Sequence, residues 1–121
     1  VVENADYGDK KVCLTMDAGI TYESDLDGAL ATLADEVARH PDYLDRRTEE
    51  DKEKGVPLVT VRVNELADSA VVLRALLWGK DNGTAFAMRA ELLRRIKNRF
   101  DAEGIGLAYP HLVVEMTGGK R

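Results

Sequence analysis

Apolar residues recur at two different periods along this chain, and the switches between them outline its elements. From Lys11 to Ile20 the period is two: Val12, Leu14, Met16, Ala18 and Ile20 alternate with Cys13, Thr15, Asp17 and Gly19. That pattern predicts a strand with one apolar face. Leu26, Leu30, Leu33 and Val37 then fall at helical spacing, which predicts a helix with one buried stripe. Ser24 or Asp25 is its expected cap, Ser24 and Asp27 being spaced as a capping box. His40-Pro41 ends this helix, because a residue before proline is pushed out of the helical region. Residues 42–57 form a charged loop, with Arg46 to Lys54 nearly all charge, and read as exposed chain or an extra helical turn.

Leu58–Leu66 and Ser69–Trp78 read as the next two strands. The second is apolar on both faces, with Arg74 the exception, so it belongs at the centre of its sheet and is expected to be covered on both sides. Gly79 to Thr84 is turn-rich. A long helix follows from about Thr84 to Glu103, with Phe86, Leu93, Ile96 and Phe100 expected on its buried face. Gly104 stands where a left-handed cap is needed. His111–Met116 alternates as a last strand, residues 1–10 read as a linker, and residues 117–121 as a frayed tail. The order βαββαβ predicts one α+β domain, residues 1–121, of ferredoxin-like type, with two helices on one face of a mixed or antiparallel sheet. Pro110 breaks the chain just before the last strand, which gives that strand the option of leaving the sheet to pair elsewhere.

Composition narrows the partners. The chain has 121 residues, enough for one domain with a real core. It is 45% hydrophobic and 32% charged, too apolar for disorder. A net charge of −5 argues against nucleic acid as a main partner. No run approaches the ~18 apolar residues that span a bilayer, so the chain itself is expected to be soluble. It begins at Val1 rather than methionine, which suggests a fragment of a longer protein.

Candidate chemistry is sparse. His40 and His111 are the two histidines and share no ligand spacing with other donors, so no metal is expected. Cys13 is the single cysteine and lies inside a strand, where a small side chain is ordinarily packing; it can form no internal disulfide. A phosphate cradle after the first strand would need a glycine-rich loop with an arginine. Gly19-Ile20-Thr21-Tyr22-Glu23-Ser24-Asp25 instead has one glycine and two acidic residues. RNA binding on the open sheet would need aromatic residues on the central strands, and Trp78 alone lies there. Arg89, Arg94, Arg95, Lys97 and Arg99 read as a solvated helix face near a C-terminus that favours cations. The residues therefore predict no enzyme and no cofactor, and leave an interaction surface.

Several short motifs occur in a telling order. Val61-Arg62-Val63-Asn64-Glu65-Leu66 leads to Asp68-Ser69, and a second strand ends at Trp78. Leu92-Leu93, Ile96-Lys97 and Phe100-Asp101 then precede Gly104-Ile105 and Tyr109-Pro110. With Ala18 to Leu26 before them, these resemble the C-terminal cytoplasmic domain of small-conductance mechanosensitive (MscS-like) ion channels. Where that family often has Pro-aromatic-Pro-Gln, this chain reads Ala108-Tyr109-Pro110-His111.

The resemblance implies that Asn64, Asp68, Ser69, Trp78, Phe100, Gly104 and Pro110 are structural motif residues and none is catalytic. It implies a homo-oligomer, a heptamer in the full-length protein, attached to an upstream membrane channel segment on the cytoplasmic side of the inner membrane. The copies would enclose a vestibule that admits inorganic ions and small osmolytes, released on hypo-osmotic shock. His111–Met116 would enter an oligomeric barrel, and the domain would contribute assembly, solute filtering and modulation of gating. The alternative is a free-standing ferredoxin-like module that binds a ligand or a protein.

Overall fold

The strand read at the start of the chain forms as β1 (Val12–Ile20), and strand β2 (Val61–Leu66) and strand β3 (Val71–Gly79) complete one antiparallel sheet in the order β1-β3-β2. This computed structural model describes residues 11–108. Helix α1 (Leu26–Ala38) links β1 to a short helix α2 (Glu49–Glu53), and helix α3 (Asn82–Ala102) follows β3. β1 and β2 are both antiparallel to β3, so they run parallel to each other with β3 between them. That is the split βαβ arrangement of a ferredoxin-like α+β domain. Its expected last strand, His111–Met116, and Pro110 lie outside the described residues, as do the 1–10 linker and the 117–121 tail.

β3 is central, as its apolar composition predicts. Among the described residues its cover is one-sided, not the two-sided cover expected. Val71, Leu73, Ala75 and Leu77 are buried, whereas Val72, Arg74, Leu76 and Trp78 are half-buried on a face that no described helix covers. The outer face keeps its apolar residues out of most of the solvent by lateral contact within the sheet. Cys13 is the register partner of Trp78, Thr15 of Leu76 and Asp17 of Arg74. The inner face carries the expected β1 set, with Met16 and Ile20 buried and Leu14 and Ala18 packed against the core.

β2 contains a bulge. Val63 is opposite Leu73 and Glu65 is opposite Val72, so Asn64 is an extra residue. Side chains alternate along a strand. Without the bulge, Glu65 would follow Val61 and Val63 onto the core face. With it, Glu65 turns to the outer face, and Leu66 falls opposite the buried Val71.

The helices are placed by their caps. Asp25 is the N-cap of α1 and accepts from the Gly28 backbone N–H at 3.1 Å. Ser24 does not share that role: its Oγ lies 2.8 Å from Thr21 Oγ1 and accepts from the Gly106 N–H at 3.0 Å. The reciprocal capping box occurs instead in α2, between Thr48 and Asp51. α3 begins before Thr84, because Asp81 caps it by accepting from the Thr84 N–H at 2.8 Å.

α3 is also rotated from the expected face. Ala85, Met88, Leu92, Ile96 and Phe100 are buried, while Phe86 and Leu93 are 51% and 47% exposed. The first turn of α3 lies so close to the end of β3 that a Cβ on Gly79 would sit 3.0 Å from the Ala85 Cβ. Only a small residue fits there, and Phe86 is displaced one step around the helix. In α1 the buried positions are Ala29, Thr32, Leu33 and Val37, and Leu26 sits half out at the first turn. Gly104 follows α3 at φ 77°, the left-handed region that glycine enters without strain.

Two substitutions separate the observed helix face from the expected one. Phe100→Ala removes a fully buried ring and is expected to cost about 3–5 kcal/mol in urea denaturation. Phe86→Ala is expected to cost under about 1 kcal/mol. Equal losses would show that Phe86 is part of the core.

Candidate functional surface

The motif residues do not converge on one site. Asn64 is exposed at the β2 bulge, and Asp68 and Ser69 are exposed in the turn between β2 and β3. This turn is closed by an Ala67 N–H to Ala70 O bond of 2.8 Å and touched by Tyr22, whose hydroxyl donates to Ala67 O. Trp78 lies at the opposite end of β3. Phe100 is in the core, Gly104 caps α3, and Pro110 lies outside the described residues. The described motif residues thus sit apart, at a bulge, a turn, a strand end, a core position and a helix end.

Beside Trp78 the charged loop comes back onto the sheet. The Leu44 N–H donates to Trp78 O at 2.9 Å, and the Arg46 guanidinium lies 3.7 Å from the centroid of the indole ring. This cation–π contact covers part of an aromatic surface that the helices leave open. Arg47 is held separately by Asp45, whose carboxyl is thereby lowered to about 2, and it donates to Val56 O at 3.2 Å. Tyr43, Arg46, Arg47, Leu58, Thr60 and Trp78 help line a cleft of about 110 Å³. That is below the roughly 300–1,000 Å³ of small-molecule sites. Cys13 lies next to this region, and partial burial raises its thiol pKa despite the nearby Arg46. A raised pKa leaves less thiolate at neutral pH, the reverse of an activated nucleophile. Among the described residues no three His, Cys, Asp or Glu side chains are grouped to hold a metal.

The densest polar cluster joins α1 to α3. Arg99 Nη1 donates to Asp35 at 2.7 Å and to Glu36 at 3.1 Å, and Arg99 Nε donates to Glu103 at 2.9 Å. Thr32 Oγ1 donates to Glu103 at 2.8 Å. Farther along, Glu91 takes Arg95 at 3.2 Å and the buried His40 at 2.7 Å. His40 Nδ1 accepts the Asp42 N–H at 3.1 Å, so Nε2 carries the proton given to Glu91. Hydrogen bonds from Arg99 lower the carboxyl pKa of Asp35 and Glu103, and the bond from His40 does so at Glu91. Glu91, Arg95, Arg99 and Glu103 recur every four residues, so the stripe is legible in sequence. Its α1 partners become visible only when the helices pack.

On the outer sheet face Arg74 makes a two-pronged ion pair with Asp17, at 2.8 and 3.0 Å. Arg62 is opposite Arg74 on the other side. Asp17 thus offsets a like-charge cross-strand pair. No described helix is long and apolar enough to cross a membrane.

Residues 14–107 match the family described as the C-terminal domain of the mechanosensitive ion channel MscS. A small-conductance mechanosensitive channel of Edwardsiella ictaluri is 31% identical over 98 residues, which cover 81% of this chain and 30% of that protein. The crystal structure of Helicobacter pylori MscS in its closed state superposes with a TM-score of 0.68 at 20% identity, over 84% of this chain and 36% of that one. The chain therefore spans about a third of the length of these relatives.

The Arg99 cluster predicts an acid-sensitive link. Carboxyl groups with lowered folded pKa values contribute stability above their unfolded values near ~4 and lose it as pH falls through the folded ones. Urea midpoints are expected to fall from pH ~6 to ~3. In Arg99→Met that fall is expected to be shallower, with the Glu91 share remaining. An unchanged slope would remove Arg99 from the account.

Proposed function

We propose, from the premise that this chain belongs to the MscS family of mechanosensitive ion channels and carries its C-terminal domain, that it builds the cytoplasmic vestibule of such a channel. Copies assemble as a homo-oligomer, a heptamer, beneath an upstream membrane segment on the cytoplasmic side of the inner membrane. The domain works without catalytic residues. It holds subunits together and filters the inorganic ions and small osmolytes that leave on hypo-osmotic shock.

The observation that carries this reading is the family match from Leu14 to Leu107, which takes in both long helices, β2, β3 and all of β1 beyond its first two residues. The shape of the surface supports it. Large apolar side chains stay exposed on separate elements, Tyr22 in the loop after β1, Leu66 on β2, and Phe86 and Leu93 on α3. Such residues suit a chain that meets other copies of itself. The half-buried outer sheet face, with Val72, Leu76 and Trp78, adds a further contact surface.

A graft tests the proposal. The chain replaces the C-terminal domain of a family channel, and the chimera is expressed in bacteria lacking their own mechanosensitive channels. Survival after hypo-osmotic shock is expected to rise above that of cells carrying the domain-deleted channel, and cross-linking is expected to give a homo-oligomer. A chimera that reaches the membrane yet stays monomeric, or protects no better than the deleted channel, would contradict the proposal.

A further inference from the structure

α3 borders an edge of the sheet along which the described residues make only one further bridge. β1 pairs with β3 along one side, from Val12–Gly79 to Ile20–Val71. Along its other side, the chain leaving α3 returns for one bridge, Ile20–Leu107. Two bonds frame that bridge: the Thr21 N–H to Gly106 O at 3.0 Å and the Ala108 N–H to Gly19 O at 2.9 Å. In an antiparallel strand the N–H and C=O of one residue point to the same side, and neighbouring residues to opposite sides. Gly19 faces the open edge, so Thr15 and Asp17 present their N–H and C=O groups there too.

Arg89 reaches across this edge from α3. Its Nη1 donates to Thr15 O at 3.0 Å, and its guanidinium lies 5.1 Å from the centroid of the Phe86 ring. A further strand keeping the Ile20–Leu107 register would need an N–H from residue 110 for Asp17 O and one from residue 112 for Thr15 O. Residue 110 is proline and has no N–H. Thr15 O is already bonded. In that register neither acceptor is met: Thr15 O is taken by Arg89, and the residue opposite Asp17 O has no N–H to give.

We propose that Arg89 is an edge guard: it keeps the side of β1 that faces away from β3 closed to the addition of a strand. An unguarded edge is a template for any strand, from the same chain or another copy. Arg89 answers this with a charged group drawn over the edge and steadied on Phe86. A strand arriving at β1 has to strip that bond and desolvate the guanidinium. The proposal is independent of the channel reading.

Residue-resolved amide hydrogen exchange on the 121-residue chain tests it. The Thr15 and Asp17 amides, which face the edge, are expected to exchange far faster than those of Leu14 and Met16, which face β3. Arg89→Met keeps the apolar stem and loses every donor. In that variant the Thr15 and Asp17 amides are expected to slow by on the order of tenfold or more. Slowing that grows with protein concentration identifies a second copy as the incoming strand. Slowing independent of concentration identifies a segment of the same chain, and either result bears the proposal out. Slow Thr15 and Asp17 amides in the native chain would overturn it, as would unchanged rates in a folded Arg89→Met variant. Slow native amides overturn the proposal even where the variant does not fold. Arg89→Lys, which keeps the charge, then serves as the second variant, with intermediate slowing expected and unchanged rates against the proposal.

Discussion

Everything in this domain hangs on the one-sided burial of β3. Leu73, Ala75 and Leu77 are fully buried, flanked by β1 and β2 and roofed by the helices. Burying such side chains is the main favourable term in folding. Satisfying them requires both neighbouring strands and a helix layer at once. The bulge at Asn64, the small pair Gly79 and Ala85, and the caps at Asp25 and Asp81 all serve that end. Each lets an element reach β3 at the angle its apolar residues need. The outer face is left to half-buried residues and to one ion pair, Asp17 with Arg74.

Charge adds to apolar contact along the seam between the two long helices. Arg99 holds Asp35, Glu36 and Glu103, and Glu91 holds His40 and Arg95. Single exposed pairs of this kind are worth little, about 0–1 kcal/mol. Glu36 is only 12% exposed, so here the pairs form a network around a partly desolvated carboxylate. Such a network fixes how α1 lies against α3 while the hydrophobic core decides whether the domain folds. Arg89 applies the same chemistry on the other flank of α3, where it meets backbone instead of carboxylate.

Much of this was legible in the residues. Period-two alternation located β1, and continuous apolar character located β3 at the centre of the sheet. The motifs from Val61 to Gly104 pointed to the family that residues 14–107 match. What stayed hidden depends on contacts between distant parts of the chain. Phe86 and Leu93 share a helical face with one another, and only the close approach at Gly79 shows that the core takes Ala85, Met88 and Leu92 instead. Ser24 is as good a cap as Asp25 until the Gly106 N–H returns to claim it. The apolar outer face of β3 reads as buried because a strand's neighbours are not visible in its own sequence. His40 gave no ligand pattern, yet it is buried against a carboxylate one helix away. None of the described motif residues belongs to the charged seam between the helices.

Among the described residues the sheet has one face covered by helices, and exposed apolar side chains lie on separate elements around it. The account stands or falls on β3 as the spine. The most direct measurement is native-state hydrogen exchange across a urea series, read residue by residue. The account predicts that the amides of Leu73, Ala75 and Leu77 exchange only through global unfolding and are the slowest in the domain, with those of β2 opening earlier. Exchange of the β3 amides at the rate of β2, through a local opening insensitive to urea, would contradict it.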